Sequence, residues 1–278
     1  MLPGQMWATA HGAGAASGAF FDCTTTGAAQ TLTLAGVTFS APTTVDWGDG
    51  SSDTYAAGAG ARTHVYADAG TYRVRILQPG NVTAFDVRDN KVTLNSADIK
   101  SMLNVTSLIL AHIKAGRFDS ADVSAWRPSN FRLYAMPSGF AGTFDSADVS
   151  DWRPGSFWLF SMPATFLAGL TISANSFKNW TTGLNNFQMQ DNSLSQAQVN
   201  LILWELYQAA ITPRTATGGT INVGGTNAAP SGTYQAAASC PVDGSTPGAE
   251  IAHELINDGC TETFNTWSTV NITEQESP

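Results

Sequence analysis

Four aspartates, Asp119, Asp122, Asp145 and Asp148, have the residue type and close spacing that chemistry would need. Paired carboxylates can divide the work of glycoside hydrolysis, one as acid and the other as base or nucleophile. These four, however, lie in a duplicated segment. Gly116-Arg-Phe118-Asp-Ser-Ala-Asp-Val-Ser-Ala-Trp126-Arg-Pro128 recurs as Gly142-Thr-Phe144-Asp-Ser-Ala-Asp-Val-Ser-Asp-Trp152-Arg-Pro154. Duplication places the same pair in successive structural units, as a structural role predicts. The four histidines, His11, His64, His112 and His253, stand in no Gly-x-Ser-x-Gly or His-Glu-x-x-His context. No nucleophile, base and orienting group come together in the sequence, so no catalytic residue is assigned and a noncatalytic protein is expected.

Asp46, Asp49 and Asp53 surround a glycine-rich turn and are weak candidates for a hard cation. The competing reading is a turn in which each carboxylate bonds its own backbone. No cofactor and no metal are expected. Of the three cysteines, Cys240 and Cys260 bracket a Gly/Pro-rich turn and one helix. A bridge between them is sterically allowed, and free thiols fit the sequence equally well.

A binding surface is easier to derive than a catalytic site. Phe131-Arg-Leu133-Tyr and Phe157-Trp-Leu159-Phe alternate in the manner of strands with one buried face. Arg132, Tyr134, Trp158 and Phe160 then point outward on adjacent strands. Aromatic rings beside a guanidinium suit sugar stacking or a protein contact. Packing beneath another part of the chain or a neighbouring subunit is the alternative. The repeated Trp126 and Trp152 read as equivalent core positions.

These residues are positioned by a periodic pattern. Val82-x-x-Phe85-x-Val87-x-x-Asn90-x-Val92, Leu167-x-x-Leu170-x-Ile172-x-x-Asn175-x-Phe177 and Leu184-x-x-Phe187-x-Met189-x-x-Asn192-x-Leu194 share one spacing. Two apolar residues two apart face one side of a short strand. The asparagine that follows turns the chain, and its amide can satisfy backbone groups of the neighbouring turn. Val105-x-x-Leu108-x-Leu110-x-x-Ile113 fits the frame without the asparagine. The pattern resembles the irregular leucine-rich repeats of bacterial and phage surface proteins, which implies stacked coils with one shared core. Strand starts are expected near 85, 108, 131, 157, 170 and 187.

Before the ladder, Val45-Asp46-Trp47-Gly48-Asp49-Gly50-Ser51 and His64-Val65-Tyr66-Ala67-Asp68-Ala69-Gly70-Thr71-Tyr72 resemble the PKD family of β-sandwich domains. That resemblance implies a spacer or binding module of cell-surface or virion proteins. Residues 1–24 read as an extended arm whose Trp7, Phe20 and Phe21 are candidates for anchoring to a partner. After the ladder, Ser195-Gln-Ala-Gln198 is a capping box before a helix that Pro213 stops. A further rung at Thr220-Ile221-Asn222-Val223, a helix starting near Thr246-Pro247 and a strand from Phe264 to Ile272 complete a cap. The segment from Gly225 to Tyr234 also resembles the ends of repeat proteins from phage structural genes.

The expected fold is mainly β with some α. A PKD-like sandwich (25–80) precedes a leucine-rich-repeat-like solenoid (81–194) and a last rung with an α/β cap (195–278). A net charge of −9 without a basic cluster disfavours nucleic acid as a partner. No run reaches the length of a membrane span, and residues 1–20 do not read as a signal peptide. The combined expectation is a noncatalytic bacteriophage virion protein on the particle surface. It would bind other virion proteins through its arm and a host glycan or protein through its ladder, with a homo-oligomer as one form it could take. A bacterial surface adhesin is the alternative, and a carbohydrate-active enzyme the third reading.

Overall fold

The computed structural model describes residues 18–180, 183–211, 219–232, 242–257, 267 and 269–272. Trp7, Cys240 and Cys260 lie outside the described residues, and with them the first anchor candidate and the bridge.

Alternation builds the first strands. In β1 (Ala19–Thr25), residues Ala19, Phe21, Cys23 and Thr25 are buried and the residues between them are half-buried. That period of two is a strand with one core face. β1 lies hydrogen-bonded within a sheet, so the arm expected to run to residue 24 gives way to a strand at Ala19. Phe21 is accordingly a core residue, 6.0 Å from the ring of Phe85, and its anchor role is corrected. Phe20 carries the Arg73 guanidinium 4.4 Å from its ring centre.

β2 (Gln30–Phe39), β3 (Thr43–Asp46), β4 (Ser52–Tyr55), β5 (Gly58–Tyr66) and β6 (Gly70–Ile76) follow at short intervals. Together with β1 they pair antiparallel on two sheets. The chain then changes habit at β7 (Val82–Val87) and β8 (Val92–Asn95). β7 pairs antiparallel with β2 and parallel with β9 (Ser107–Ala111). β8 pairs antiparallel with β1 and parallel with β10 (Ala115–Asp119). From there every strand is parallel: β11 (Asn130–Tyr134), β12 (Ala141–Asp145), β13 (Ser156–Phe160), β14 (Leu170–Thr171), β15 (Asn186–Gln188), β16 (Thr220–Asn222) and β17 (Thr269–Asn271).

Two mixed sheets result. Sheet one runs β14-β12-β10-β8-β1-β6-β3-β4 and sheet two runs β17-β16-β15-β13-β11-β9-β7-β2-β5. Both sheets continue across residue 80, where a boundary between sandwich and ladder was expected, and a single buried cluster lies between them. Along sheet two, Phe85, Leu108, Phe131, Phe157, Phe187, Ile221 and Val270 stand in one register. Phe157 stacks on both Phe131 and Phe187 with ring centres 5.5 Å apart. Trp126, Trp152 and Trp180 are fully buried beside this column, as a repeated tryptophan should be.

Successive rungs of that column are 23, 23, 26, 30, 34 and 49 residues apart. The uneven spacing in the sequence has two causes. The copy at Leu167–Phe177 is half a coil out of phase: Leu170 belongs to β14 in sheet one, facing the column from the other side. The later coils also lengthen to hold helices. Sheet one stops at β14, and beyond it the helix Gln196–Ile211 covers the core with Val199, Ile202, Leu203 and Leu206. Its capping box forms as expected, Ser195 N–H donating to Gln198 Oε1 at 3.0 Å. The helix Gly248–Asn257 packs beside it with Ile251 and Leu255 buried. β17 pairs with β16, so the last strand extends the ladder by a rung. Among the described residues no helix is long and apolar enough to cross a membrane.

The coil turns hold two kinds of device. Asn192 is buried, and its Nδ2 donates to Leu159 O at 2.6 Å and Met189 O at 3.0 Å, while its Oδ1 accepts the Met162 N–H at 3.0 Å. Asn227 repeats this one coil on, accepting from the Asn192 and Leu194 N–H groups. In earlier coils the same position is apolar, as Ile113, Met136 and Met162. Asn90 is exposed, and Asp89 is the buried residue of that turn. The second device is backbone. His112, Ala135, Ser161, Asp191 and Gly225 all adopt positive φ two residues after the last inward side chain of their strand.

Close stacking leaves no room for some side chains. A Cβ on Gly142 (φ 145°) would collide with the carbonyl oxygen of Phe118 in the preceding coil, whereas one on Gly139 would meet nothing within 4 Å. Gly142→Ala is expected to cost more than ~2 kcal/mol and Gly139→Ala less than ~1 kcal/mol, measured by urea unfolding. Equal effects would show that the coils do not approach this closely.

Candidate functional site

All four aspartates accept hydrogen bonds within or between the turns. Each Ser-Ala-Asp turn buries its serine, and in the first two the serine meets an aspartate of the next coil. Ser96 Oγ donates to Asp122 Oδ2 at 2.6 Å and accepts the Asp119 N–H at 2.9 Å. Ser120 Oγ repeats this with Asp148 Oδ2 at 2.5 Å and the Asp145 N–H at 2.9 Å. Ser146 accepts the Ser173 N–H at 2.8 Å. The serine of one coil is thus held by the turn of the next. Asp119 is occupied by the Arg117 guanidinium at 2.6 and 2.8 Å and by Thr143. Burial works to raise its pKa, but the bonds from Thr143 and Arg117 outweigh that and hold it below the usual carboxylate range.

Asp46, Asp49 and Asp53 form no common site. Asp46 accepts the Gly48 N–H at 2.9 Å, and Asp53 accepts the Trp47 indole N–H at 2.8 Å. Asp49 holds Ser51 and lies 2.7 Å from His64 Nε2. The His64 ring stacks flat on Trp47 at 4.9 Å, and Tyr66 donates its hydroxyl to Trp47 O at 3.0 Å. Gly48, at φ 83°, passes so close to Arg73 that a Cβ would sit 2.5 Å from its carbonyl oxygen. The Asp-Trp-Gly-Asp-Gly and His-x-Tyr segments therefore build one cluster that fixes the turn. Among the described residues no group of three or more metal-ligating side chains occurs.

Cys23 and Glu205 are also inward-facing. Cys23 is buried, and burial, with Asp89 adding to it, pushes its thiol up to about 11, far from a reactive thiolate. Glu205, on the helix Gln196–Ile211, is 1% exposed. Burial raises its pKa, opposed by the amides of Asn175, Phe177 and Ser176.

Arg132, Tyr134, Trp158 and Phe160 do come together. β11 and β13 bury Phe131, Leu133, Phe157 and Leu159 inward and leave these four half-buried on the outer face. The Arg132 guanidinium lies 3.8 Å from the Trp158 ring centre, and its Nε donates to Asn130 Oδ1 at 2.7 Å. Burial lowers the Arg132 pKa. Tyr134 stacks on Phe160 at 5.1 Å, with Trp158 edge-on to Tyr134 at 5.9 Å. The arrangement is an aromatic platform in which Tyr134 and Phe160 stack on each other and the guanidinium covers one face of Trp158.

Sequence reasoning missed the flanks of this platform. Asp86 is two rungs from Arg132 in the same register, and its carboxylate forks with Arg88 at 2.8 Å for both bonds. On the other side Gln188 is registered with Trp158. Strand parity alone could have found both. Trp158 Nε1 and Gln190 Oε1 are shielded from solvent and have no hydrogen-bond partner among the described residues. Compared with protein-family models, with curated proteins and with solved structures, the chain matches none.

Two outcomes are expected. Ser120→Ala strands the Asp148 carboxylate and the Asp145 N–H, so it should cost ~1–3 kcal/mol in urea unfolding; a neutral result would show the serines to be incidental. For Asp49, burial acts to raise the pKa, while Ser51 and His64 lower it to about 2, from an ordinary 3.8. A depressed carboxylate contributes stability above its unfolded pKa and loses it as pH falls through its folded one. Asp49→Asn should therefore be less stable than the parent by ~1.5 kcal/mol at neutral pH, with the gap closing as pH falls below 3.8 toward about 2. A pH-independent gap would remove the carboxylate's role.

Proposed function

We propose that this protein is a noncatalytic binding component of a surface assembly, a virion structural or receptor-binding protein of a bacteriophage, whose sheet-two face engages a host glycan. The observation that carries the reading is the platform of Tyr134, Trp158 and Phe160 with Arg132 across it. Aromatic faces take up the C–H faces of sugar rings, and neighbouring charged and amide groups bond their hydroxyls. Gln188 and the Asp86–Arg88 fork supply such groups beside it.

Several features support the surface-module part of the reading. The Asn192–Asn227 ladder and the strand-then-helix coils agree with the resemblance to leucine-rich repeats. The Trp47–His64–Tyr66 cluster agrees with the resemblance to PKD domains. The paired aspartates are engaged in holding coils together, which favours binding over catalysis.

Binding to host cells or their isolated surface polysaccharide tests the face directly. Trp158→Ala should reduce binding at least about tenfold while the unfolding midpoint shifts little, since the ring is outside the core. Retention of full binding in Trp158→Ala and Tyr134→Ala would end this assignment. Mass analysis of purified particles tests the assembly part; absence of the chain from them would overturn it.

A further inference from the structure

A second feature lies away from the aromatic face, at the edge where β8 and β10 begin. The ends of β1 and β2 meet the turns before β8 and β10 around a cleft of about 300 Å³, lined by Thr24, Thr26, Gln30, Asn90, Lys91 and Lys114. Two of the four lysines in a chain of net charge −9 thus converge on one hollow. They come from the turns of consecutive coils, one register step apart: Lys91 immediately precedes β8, and Lys114, which immediately precedes β10, stands beside Val92. The Lys114 N–H donates to Val92 O at 2.8 Å, which ties the two turns side by side. Strands so paired are ~4.8 Å apart, which keeps both lysines at one cleft.

Nearby acids relieve only one of the two charges. Lys91 Nζ meets Asp89 Oδ1 at 2.8 Å, and Asp89 is also committed to the Lys91 and Thr33 N–H groups. Lys114 is exposed and has no carboxylate within ion-pair distance among the described residues. No acidic side chain lines the cleft itself. Its other groups are neutral donors and acceptors: two threonine hydroxyls and the amides of Gln30 and Asn90. Thr26 Oγ1 accepts from Gln30 Nε2 at 3.2 Å, which leaves its own hydroxyl proton free to donate.

We propose that this cleft is an oxyanion-binding site that takes the carboxylate, sulfate or phosphate group of a small ligand between Lys91 and Lys114. The volume exceeds what a bare ion fills and lies at the small end of ligand pockets, the size of one acidic sugar residue. An anion there meets two ammonium groups, one of them without a carboxylate partner among the described residues, and the hydroxyl and amide groups orient the rest of the ligand. The site does not depend on the aromatic face of sheet two.

The test is calorimetric titration of the purified full chain with sodium glucuronate, inorganic phosphate, sodium sulfate and neutral glucose, at about 150 mM salt so that diffuse attraction is screened. Saturable binding of at least one anion, with none of glucose, is the expected result. Glucuronate bound in preference assigns an acidic saccharide; phosphate or sulfate alone assigns a free inorganic anion. Lys114→Gln should weaken binding about tenfold with an unchanged melting temperature, Lys114→Arg should restore it, and Trp158→Ala should leave it intact. Absence of saturable binding for all three anions, or equal binding in Lys114→Gln, overturns the proposal.

Discussion

Residues 82–95 carry the constraint on which the rest depends. β7 and β8 must each satisfy an antiparallel neighbour on one edge and a parallel neighbour on the other. The two hydrogen-bond patterns differ in spacing and slant, so each of these strands must present a different pattern on its two edges. Here the same two strands close the antiparallel sandwich and start the parallel ladder. Because side-chain period is two, their register also decides which residues of every later coil point inward. Phe85 and Val87 set that choice in sheet two, and Val92 and Leu94 set it in sheet one.

Stacked coils bury polar backbone at every turn, and this chain satisfies it in different ways along its length. Near the start Asp89 serves, then the Ser-Ala-Asp turns, and toward the end the Asn192–Asn227 pair. In each case a side chain of one coil bonds the backbone or carboxylate of its neighbour. The bonds therefore act between coils, where the hydrophobic column alone would allow sliding. Fully satisfied buried networks of this kind fix register as well as adding stability.

The sequence made some of this legible. The alternation at Phe131–Tyr134 and Phe157–Phe160 was enough to identify the outward residues, because strand parity follows from backbone geometry alone. The duplicated Asp-Ser-Ala-Asp segment read as a turn repeated in successive coils, and the buried serine at its centre was invisible: serine is usually exposed, and only stacking buries it. Three things escaped. The copy at Leu167 matched the repeat spacing by its apolar positions but lies on the opposite sheet, since spacing does not state which side of a coil a strand occupies. The buried alternation of β1 was hidden by its glycine- and alanine-rich approach. The seamless join of sandwich and ladder depends on pairings between β1 and β8 about 70 residues apart, which local pattern does not reveal.

The widening interval between rungs, from 23 to 49 residues, has an evolutionary consequence. Each inward column is fixed by strand pairing, while the extra residues leave the stack through the turns. Length can then be gained in one coil without disturbing the next. A scaffold of this sort can diversify its rim by insertion while keeping its spine, one coil at a time.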